Sequence, residues 1–286
     1  MGGSKISSLG KARRTEPGLA SIVTITYNSA RTLQRTIDSV AAQTYPSVQY
    51  IIIDGGSTDE TLEVVRSREQ DISVYVSEKD AGISDAFNRG IALARGEFVA
   101  IVNSDDWIEQ EHLSTAIDAL RGGSVDFVFG DVRLHRDDGS PAGRLVGDRY
   151  YRRKIRHLMP FLNHPSMVCY REAYRKFGLY RLDYRNAMDY EWFLRATILG
   201  ARGLYVPSIV SHMSLAGISD REFNRSLAEV RAISVSYGYP AVPALLRFYV
   251  RVCKGLARRT LAKTVPAPVY EWLRELVNTD YRSNAR

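Results

Sequence analysis

The chain has 286 residues, 45% of them hydrophobic and 25% charged, and a formal net charge of +7. That balance excludes a disordered chain and is enough for one substantial core or a core with a smaller annex; its two cysteines, Cys169 and Cys253, lie too far apart in apolar company for a disulfide framework or a thiolate metal site. Residues 1–18 are basic at Lys5, Lys11, Arg13 and Arg14 but lack the apolar segment of a signal peptide, and no later stretch reaches the ~18 apolar residues of a spanning helix, so a flexible leader and a reducing, cytoplasmic setting are expected.

Strand and helix signals then alternate. Ser21–Thr26 is a β-branched run that stops at Tyr27-Asn28-Ser29, after which Leu33, Ile37, Val40 and Ala41 recur at helical spacing. Gln49–Ile53 predicts a second strand ending in Asp54-Gly55-Gly56-Ser57-Thr58-Asp59, with Ser57 or Thr58 as the cap of a helix through Leu62, Val64 and Val65. A third strand over 72–76, a third helix over 84–94 and a fourth strand over 98–103 complete the pattern. Such alternation indicates parallel strands joined by crossovers, an α/β half-domain of the nucleotide-binding type. Ligands bind such sheets at the carboxyl ends of the strands, which favours Asp54 accepting from a pyrimidine N–H or ribose hydroxyls over a local Asx-turn with Ser57 or Thr58.

The fourth strand, entered after Gly96-Glu97, ends in Ser104-Asp105-Asp106-Trp107. Two adjacent carboxylates at a sheet edge repel each other unless a positive charge joins them. With few His or Cys nearby, the hard oxygen set favours Mg²⁺ or Mn²⁺. The competing expectation is a helix cap, Asp105 or Asp106 opening a helix over 107–120.

Further on, Asp126–Asp131 predicts a strand and Asp137-Asp138-Gly139-Ser140 a hairpin turn. The segment 150–156 is basic and aromatic, either a phosphate-holding loop or a solvated face. A strand entered through His164 spans 163–170, a helix opens at Asp189-Tyr190-Glu191, and another apolar strand precedes His212.

In order and spacing, Thr26-Tyr27-Asn28, the run Ile51–Asp59, the run Glu78–Gly90, Ala94-Arg95-Gly96-Glu97 and Asn103-Ser104-Asp105-Asp106 resemble the family-2 glycosyltransferases with the A-type fold, over about residues 19–215. The resemblance implies a Rossmann-like mixed central sheet flanked by helices, a UDP-sugar or similar donor, a divalent metal (Mn²⁺ or Mg²⁺) and an inverting displacement. It implies nucleoside contacts at Thr26, Tyr27, Asn28 and Asp54, further donor contacts at Asp85, Asn88, Ser104 and Asp105, and a metal ligand at Asp106. Many members carry a second Asp where Gly55 stands. The segment Asp189-Tyr190-Glu191-Trp192 resembles the acidic pair that opens a helix in this family, with Met188 replacing the first acid, so Asp189 is the implied catalytic base. A helix N-terminus should hold that carboxylate ionised, ready to take a proton from an attacking hydroxyl. His212, shortly before Gly217-Ile218-Ser219, is an implied second metal ligand, and His164 an acceptor-side residue. Glu191 is either acceptor-side or paired with Arg195.

These features divide the chain into a leader (1–18), a nucleotide-sugar half (19–107), an acceptor half (108–220) and a basic helical extension (221–286). The extension carries most of the excess charge: nine Lys or Arg against three acids from residue 241 onward. Arg247, Arg251, Lys254 and Arg258 form one side of a helix that either lies on an anionic membrane surface through residues 241–263 or packs on the catalytic domain. Pro266-Ala267-Pro268 ends it before a short helix through Trp272 and Leu276. The expected partners are therefore a nucleotide-sugar and a glycan or lipid-linked saccharide, for cell-surface polysaccharide or glycolipid synthesis at the inner face of the membrane. Two other classes compete. A nucleic-acid-binding module would explain the charge, but no recognised motif accompanies it. A nucleotidyltransferase would explain the acids, but it needs a Gly-rich, Lys-bearing phosphate loop that Tyr27-Asn28-Ser29-Ala30-Arg31 lacks.

Overall fold

The computed structural model describes residues 14–156, 159–214 and 223–264. Most of the leader, the Gly217–Ser219 turn, the Pro266–Pro268 break and the helix through Trp272 lie outside the described residues.

The strands β1 (Glu16–Thr26), β2 (Val48–Asp54), β3 (Val74–Ser77) and β4 (Gly96–Ile101) are mutually parallel where they pair, and they alternate with helices α1 (Leu33–Ala41), α2 (Thr61–Ser67) and α3 (Ile83–Leu93). The second half adds β5 (Trp107–Ile108), α4 (His112–Gly122), β6 (Phe127–His135), β7 (Pro141–Leu145), α5 (Tyr151–Lys154), β8 (Val168–Tyr170), α6 (Arg171–Phe177), α7 (Met188–Ile198) and β9 (Gly203–Ser214). All join one mixed sheet in the order β3-β2-β1-β4-β8-β6-β9-β5, with β7 paired to β6. Because β8 pairs with both β4 and β6, the strands of residues 19–107 and those of residues 108–214 share a single sheet.

The period of two along each strand sends neighbouring residues to opposite faces. Ile51, Ile53, Val99 and Ile101 pack on one face with residues of α3, α6 and α7, while Tyr50, Ile52, Phe98 and Ala100 pack on the other with α1 and α4. The result is a three-layer α/β/α domain whose strand ends open on one edge. Helix α3 lies close on β1 because Gly90 faces it: a Cβ there would come 2.2 Å from Val23 Cγ1.

Several local expectations are corrected. Residues 16–18 belong to the sheet, Glu16 pairing with Gly96, so the leader is shorter than 18 residues. The helix expected from Trp107 begins only at His112, with Glu111 at its N-cap, and neither Asp105 nor Asp106 caps it. Trp107 instead pairs with His212 in β9 and lies beneath the Arg35 guanidinium, 3.6 Å from its ring centre. Helix α2 starts after Glu60, not at Ser57 or Thr58. His164 opens a 3-10 turn over His164–Ser166 rather than a strand. In the basic segment 150–156, Tyr151 is buried against Phe127 and Phe129, Lys154 pairs with Asp148 at 2.8 Å, and Arg152 donates to the Ala201 carbonyl at 2.7 Å. These contacts anchor part of the segment to the domain, while Arg153 and Arg156 stay exposed.

The extension consists of α8 (Phe223–Ser236) and α9 (Ala241–Thr264). Val230 and Ile233 of α8 enter the domain core, and α9 packs on α8 through buried Ala244 and half-buried Phe248, which lies under Arg231. Of the two placements expected for this helix, packing on protein accounts for Ala244 and Phe248, while Val242, Leu246, Tyr249 and Val250 face outward, each more than half exposed. Among the described residues no helix is long and apolar enough to cross a membrane.

Candidate active site

Three loops after β1, β2 and β4 are knitted into one edge. Asn28, in the left-handed region at φ 50°, donates from its N–H to Ser57 Oγ at 2.8 Å and accepts at Oδ1 from the Thr58 N–H at 2.8 Å. Ser104 bonds Ser29, hydroxyl to hydroxyl, at 2.8 Å. Thr26 is nearly enclosed: its hydroxyl finds no partner, and its carbonyl accepts from the Gly55 N–H at 2.9 Å. Asn28 and Ser104 therefore bind the loops of this edge to one another, Thr26 keeps an enclosed hydroxyl without a partner, and Tyr27, 61% exposed, offers its ring.

Asp54 is a clear correction. It is buried, and its carboxylate accepts from the Gly56 N–H at 3.2 Å, the Ser57 N–H at 3.0 Å, the Ser57 hydroxyl and the Ser77 hydroxyl at 2.6 Å. An ionised carboxylate has about four acceptor sites, so the Asx-turn that competed with ligand binding has filled this one. Asn88 is likewise occupied: its amide donates to the Tyr180 carbonyl at 2.8 Å and accepts the Tyr180 N–H at 3.0 Å, fastening α3 to the segment before α7. Asp85, in the first turn of α3, pairs with Arg89 at 2.8 Å and accepts the Ala81 N–H at 3.1 Å, orienting the loop that precedes the helix.

The acids after β4 are different. Asp106 is 1% exposed; its Oδ2 accepts from Asn103 Nδ2 at 3.0 Å, but its Oδ1 is enclosed without a partner. Burial, reinforced by the charge of Asp105, pushes its pKa well up, with the Asn103 side chain, the Ser214 backbone amide and the charge of Arg35 opposing. Half-buried Asp105 is raised too, by burial, with Arg35 opposing. Arg35 was not singled out from sequence. Its Nη2 donates to the Asp105 carbonyl at 3.0 Å and to Ser214 Oγ at 3.0 Å, which ties this loop to the end of β9.

An enclosed, unpaired carboxylate oxygen beside a second acid is the electrostatic requirement for a cation. Among the described residues no group of three His, Cys, Asp or Glu could hold one. Mg²⁺ sites commonly combine one or two carboxylates with substrate phosphates, so Asp106 and Asp105 fit an ion shared with a diphosphate. His212 does not join them. Its Nδ1 bonds His135 Nε2 at 2.9 Å, its Nε2 bonds Glu109 Oε1 at 3.0 Å, and its ring stacks on Trp107. Burial lowers its pKa, with Glu109 opposing, and both ring nitrogens are already engaged.

Asp189 occupies the second position of α7, behind Ala187 at the N-cap, and accepts the Tyr190 N–H at 2.7 Å. Contrary to the expectation that the helix terminus holds it ionised, its pKa is raised to about 6: burial dominates, the Tyr190 and own backbone amides oppose, and Glu229 adds to the rise. Glu229 on α8 accepts the N–H groups of Arg185, Asn186 and Ala187 at 3.2, 2.8 and 2.9 Å, bracing the start of α7 from outside. Nothing local in the sequence of α8 signals that contact. Glu191 is wholly buried in a two-point ion pair with Arg195, at 2.9 and 3.0 Å, and accepts from Tyr237. It is a structural brace, unable to meet an acceptor. His164 is also structural: it bonds the Tyr180 hydroxyl at 2.8 Å, packs on Phe87 and Phe193, and burial drives its pKa to about 4, keeping it neutral.

The arrangement thus offers a cation-seeking acid pair after β4 and a carboxylic acid poised near neutrality on α7, with Asn88 and Tyr180 tying α3 to the segment before α7. Comparison with known proteins places these features. The family model for glycosyl transferase family 2 matches residues 21–182. A "PGL/p-HBAD biosynthesis glycosyltransferase" of Mycobacterium tuberculosis is 27% identical over 254 residues, 86% of this chain and 95% of that protein. Among solved structures, Staphylococcus aureus TarS 1–349 in complex with UDP-GlcNAc superposes with a TM-score of 0.59 at 18% identity, over 87% of this chain and 77% of that one. The mannosyltransferase PcManGT of Pyrobaculum calidifontis, in complex with GDP-Man and Mn²⁺, gives 0.61 at 18% identity, over 92% and 82%. The two structures share the mixed α/β fold and the family model spans the loops after β1, β2, β3 and β4: the chain belongs to glycosyl transferase family 2 and is a glycosyltransferase of the A-type fold.

Proposed function

We propose that the chain moves a glycosyl group from a UDP-sugar to a hydroxyl of a glycan or lipid-linked saccharide, with inversion and with Mn²⁺ or Mg²⁺ as cofactor. The observation that carries this reading is the unpartnered, enclosed Oδ1 of Asp106 beside Asp105 at the carboxyl edge of β4. The nucleotide-sugar and Mn²⁺ in the complexes of TarS and PcManGT support it. A bound ion supplies positive charge where the departing diphosphate oxygen becomes anionic. Asp106 and Asp105 would hold such an ion, and Tyr27 offers a face to the base. Asp189 takes the proton of the acceptor hydroxyl as its oxygen bonds the anomeric carbon and the bond to the diphosphate breaks. One displacement leaves the configuration inverted, the diphosphate free and the proton on Asp189.

The test is a panel of nucleotide-sugars with Mn²⁺ or Mg²⁺, scored by thermal stabilisation and by slow donor hydrolysis. A UDP-sugar is expected to stabilise the protein only with metal present, and absence of any such response across the panel overturns the reading.

We also propose that α9 rests on an anionic membrane surface. Its outward stripe of Val242, Leu246, Tyr249 and Val250 supports this, with Arg247 exposed on the same helix. An apolar face is buried in the headgroup region while basic residues add about 1 kcal/mol each. The protein is expected to co-sediment with vesicles rich in phosphatidylglycerol, and the Leu246→Glu, Tyr249→Glu double variant to stay in the supernatant with its melting temperature unchanged. Wild-type protein that does not sediment refutes the proposal.

A further inference from the structure

The saturation of Asp54 leaves a question about which acid, if any, this edge offers to a nucleoside. The answer lies in the neighbouring loop, after β3. A Cβ on Gly55 would come 2.6 Å from Asp80 Oδ2 and 3.2 Å from its Cγ, so the Asp80 carboxylate fills the space a side chain at position 55 would take. Asp80 Oδ1 accepts the Gly82 N–H at 2.9 Å, a short turn that fixes the group, while Oδ2 accepts no hydrogen bond from any described residue. Asp80 is half-buried, and the adjoining Gly82, at φ 114°, has open space where its Cβ would be.

From this geometry we propose that Asp80 is the carboxylate that reads the base of the donor, accepting a hydrogen bond from the imide N–H of a uracil. The assignment rests on the nucleotide-sugar reading above. Strand order supports base over sugar. Going outward from the β4 acids, the sheet runs β1, β2, β3. Two to three strand spacings, roughly 10–14 Å, are the reach from a β-phosphate to a pyrimidine ring rather than to its ribose. The chemistry is selective because an ionised carboxylate only accepts. Uracil presents a donor at ring position 3, whereas cytosine presents a lone pair there and is repelled. A side chain at position 55 would have to displace the Asp80 carboxylate from where it stands.

Calorimetric titration of the full chain with UDP, CDP and 2′-deoxy-UDP in Mn²⁺ tests this. Wild type is expected to prefer UDP over CDP by about tenfold or more, as for a hydrogen bond to a charged group. Asp80→Asn should bring that ratio to within about threefold, and leave the ratio of UDP to 2′-deoxy-UDP as it was. Placing the acid on the other loop, Gly55→Asp in an Asp80→Ala background, should restore the preference that Asp80→Ala alone loses. An unchanged UDP to CDP ratio in Asp80→Asn overturns the proposal, as does a change confined to the 2′-deoxy ratio, which would place the carboxylate on the ribose. If wild type binds none of the three with metal, the nucleotide-sugar reading itself falls, a result distinguishable from failure of Asp80 alone.

Discussion

Asp189→Asn is expected to lower turnover roughly 10²–10⁴-fold, the usual worth of a general base, while donor affinity changes by no more than about twofold because the lost step occurs only in the transition state. The wild-type rate should carry an acid limb. Burial holds the carboxylic acid protonated up to about pH 6, so turnover rises as pH increases through that value and the base form accumulates. The stability consequence has the opposite sign. The folded pKa of about 6 lies above the ordinary 3.8, so between those values the folded state binds the extra proton. Stability from this group is therefore full below about pH 4 and is lost as pH rises through about 6. Asn mimics the neutral form, so the variant should melt like wild type in acid and higher than wild type above neutrality. A pH-rate profile with matched melting curves checks both, and equal turnover by Asp189→Asn would refute the assignment.

The second large effect concerns Asp106. Asp106→Asn should reduce metal-dependent donor binding by roughly 10²-fold or more, since even groups one shell beyond a metal's ligands cost 10–100-fold. In chelator the same variant should melt higher than wild type. The buried Oδ1 has no partner, and an unsatisfied enclosed polar group costs about 1–3 kcal/mol, more when charged; the amide keeps an acceptor for Asn103 and carries no charge. For a domain of this size each kcal/mol corresponds to roughly 2–4 °C. A site that destabilises its own fold until a ligand arrives is a recurrent trade between stability and activity. Donor binding equal to wild type, or a lower melting temperature in chelator, would each count against the account.

The parallel half of the sheet was legible because β1, β2 and β4 are continuous apolar runs, and buried parallel strands require that pattern on both faces. Helix starts were less legible. Asp105, Asp106, Ser57 and Thr58 all have capping chemistry, yet none caps a helix: Ser57 and Thr58 bond Asn28 in the loop after β1, and Asp106 is held by Asn103 within its own loop. The acid pair after β4 was recognisable as two charges at a strand end. That Asp54 would be filled and Asp80 left with a free oxygen was not, for both stand in similar turn sequences rich in Asp and Gly.

What the sequence by itself determined is the layering of the domain and the family, because hydrophobic period and motif order are properties of neighbouring residues. Only the tertiary structure decided which polar groups remain free to act. Their partners come from far along the chain: Ser77 reaches Asp54 across 23 positions, Glu229 the start of α7 across 42, and Glu109 meets His212 across 103. A carboxylate or imidazole is available for chemistry only if folding has not already satisfied it, and burial can outweigh a helix dipole in setting its charge, as at Asp189.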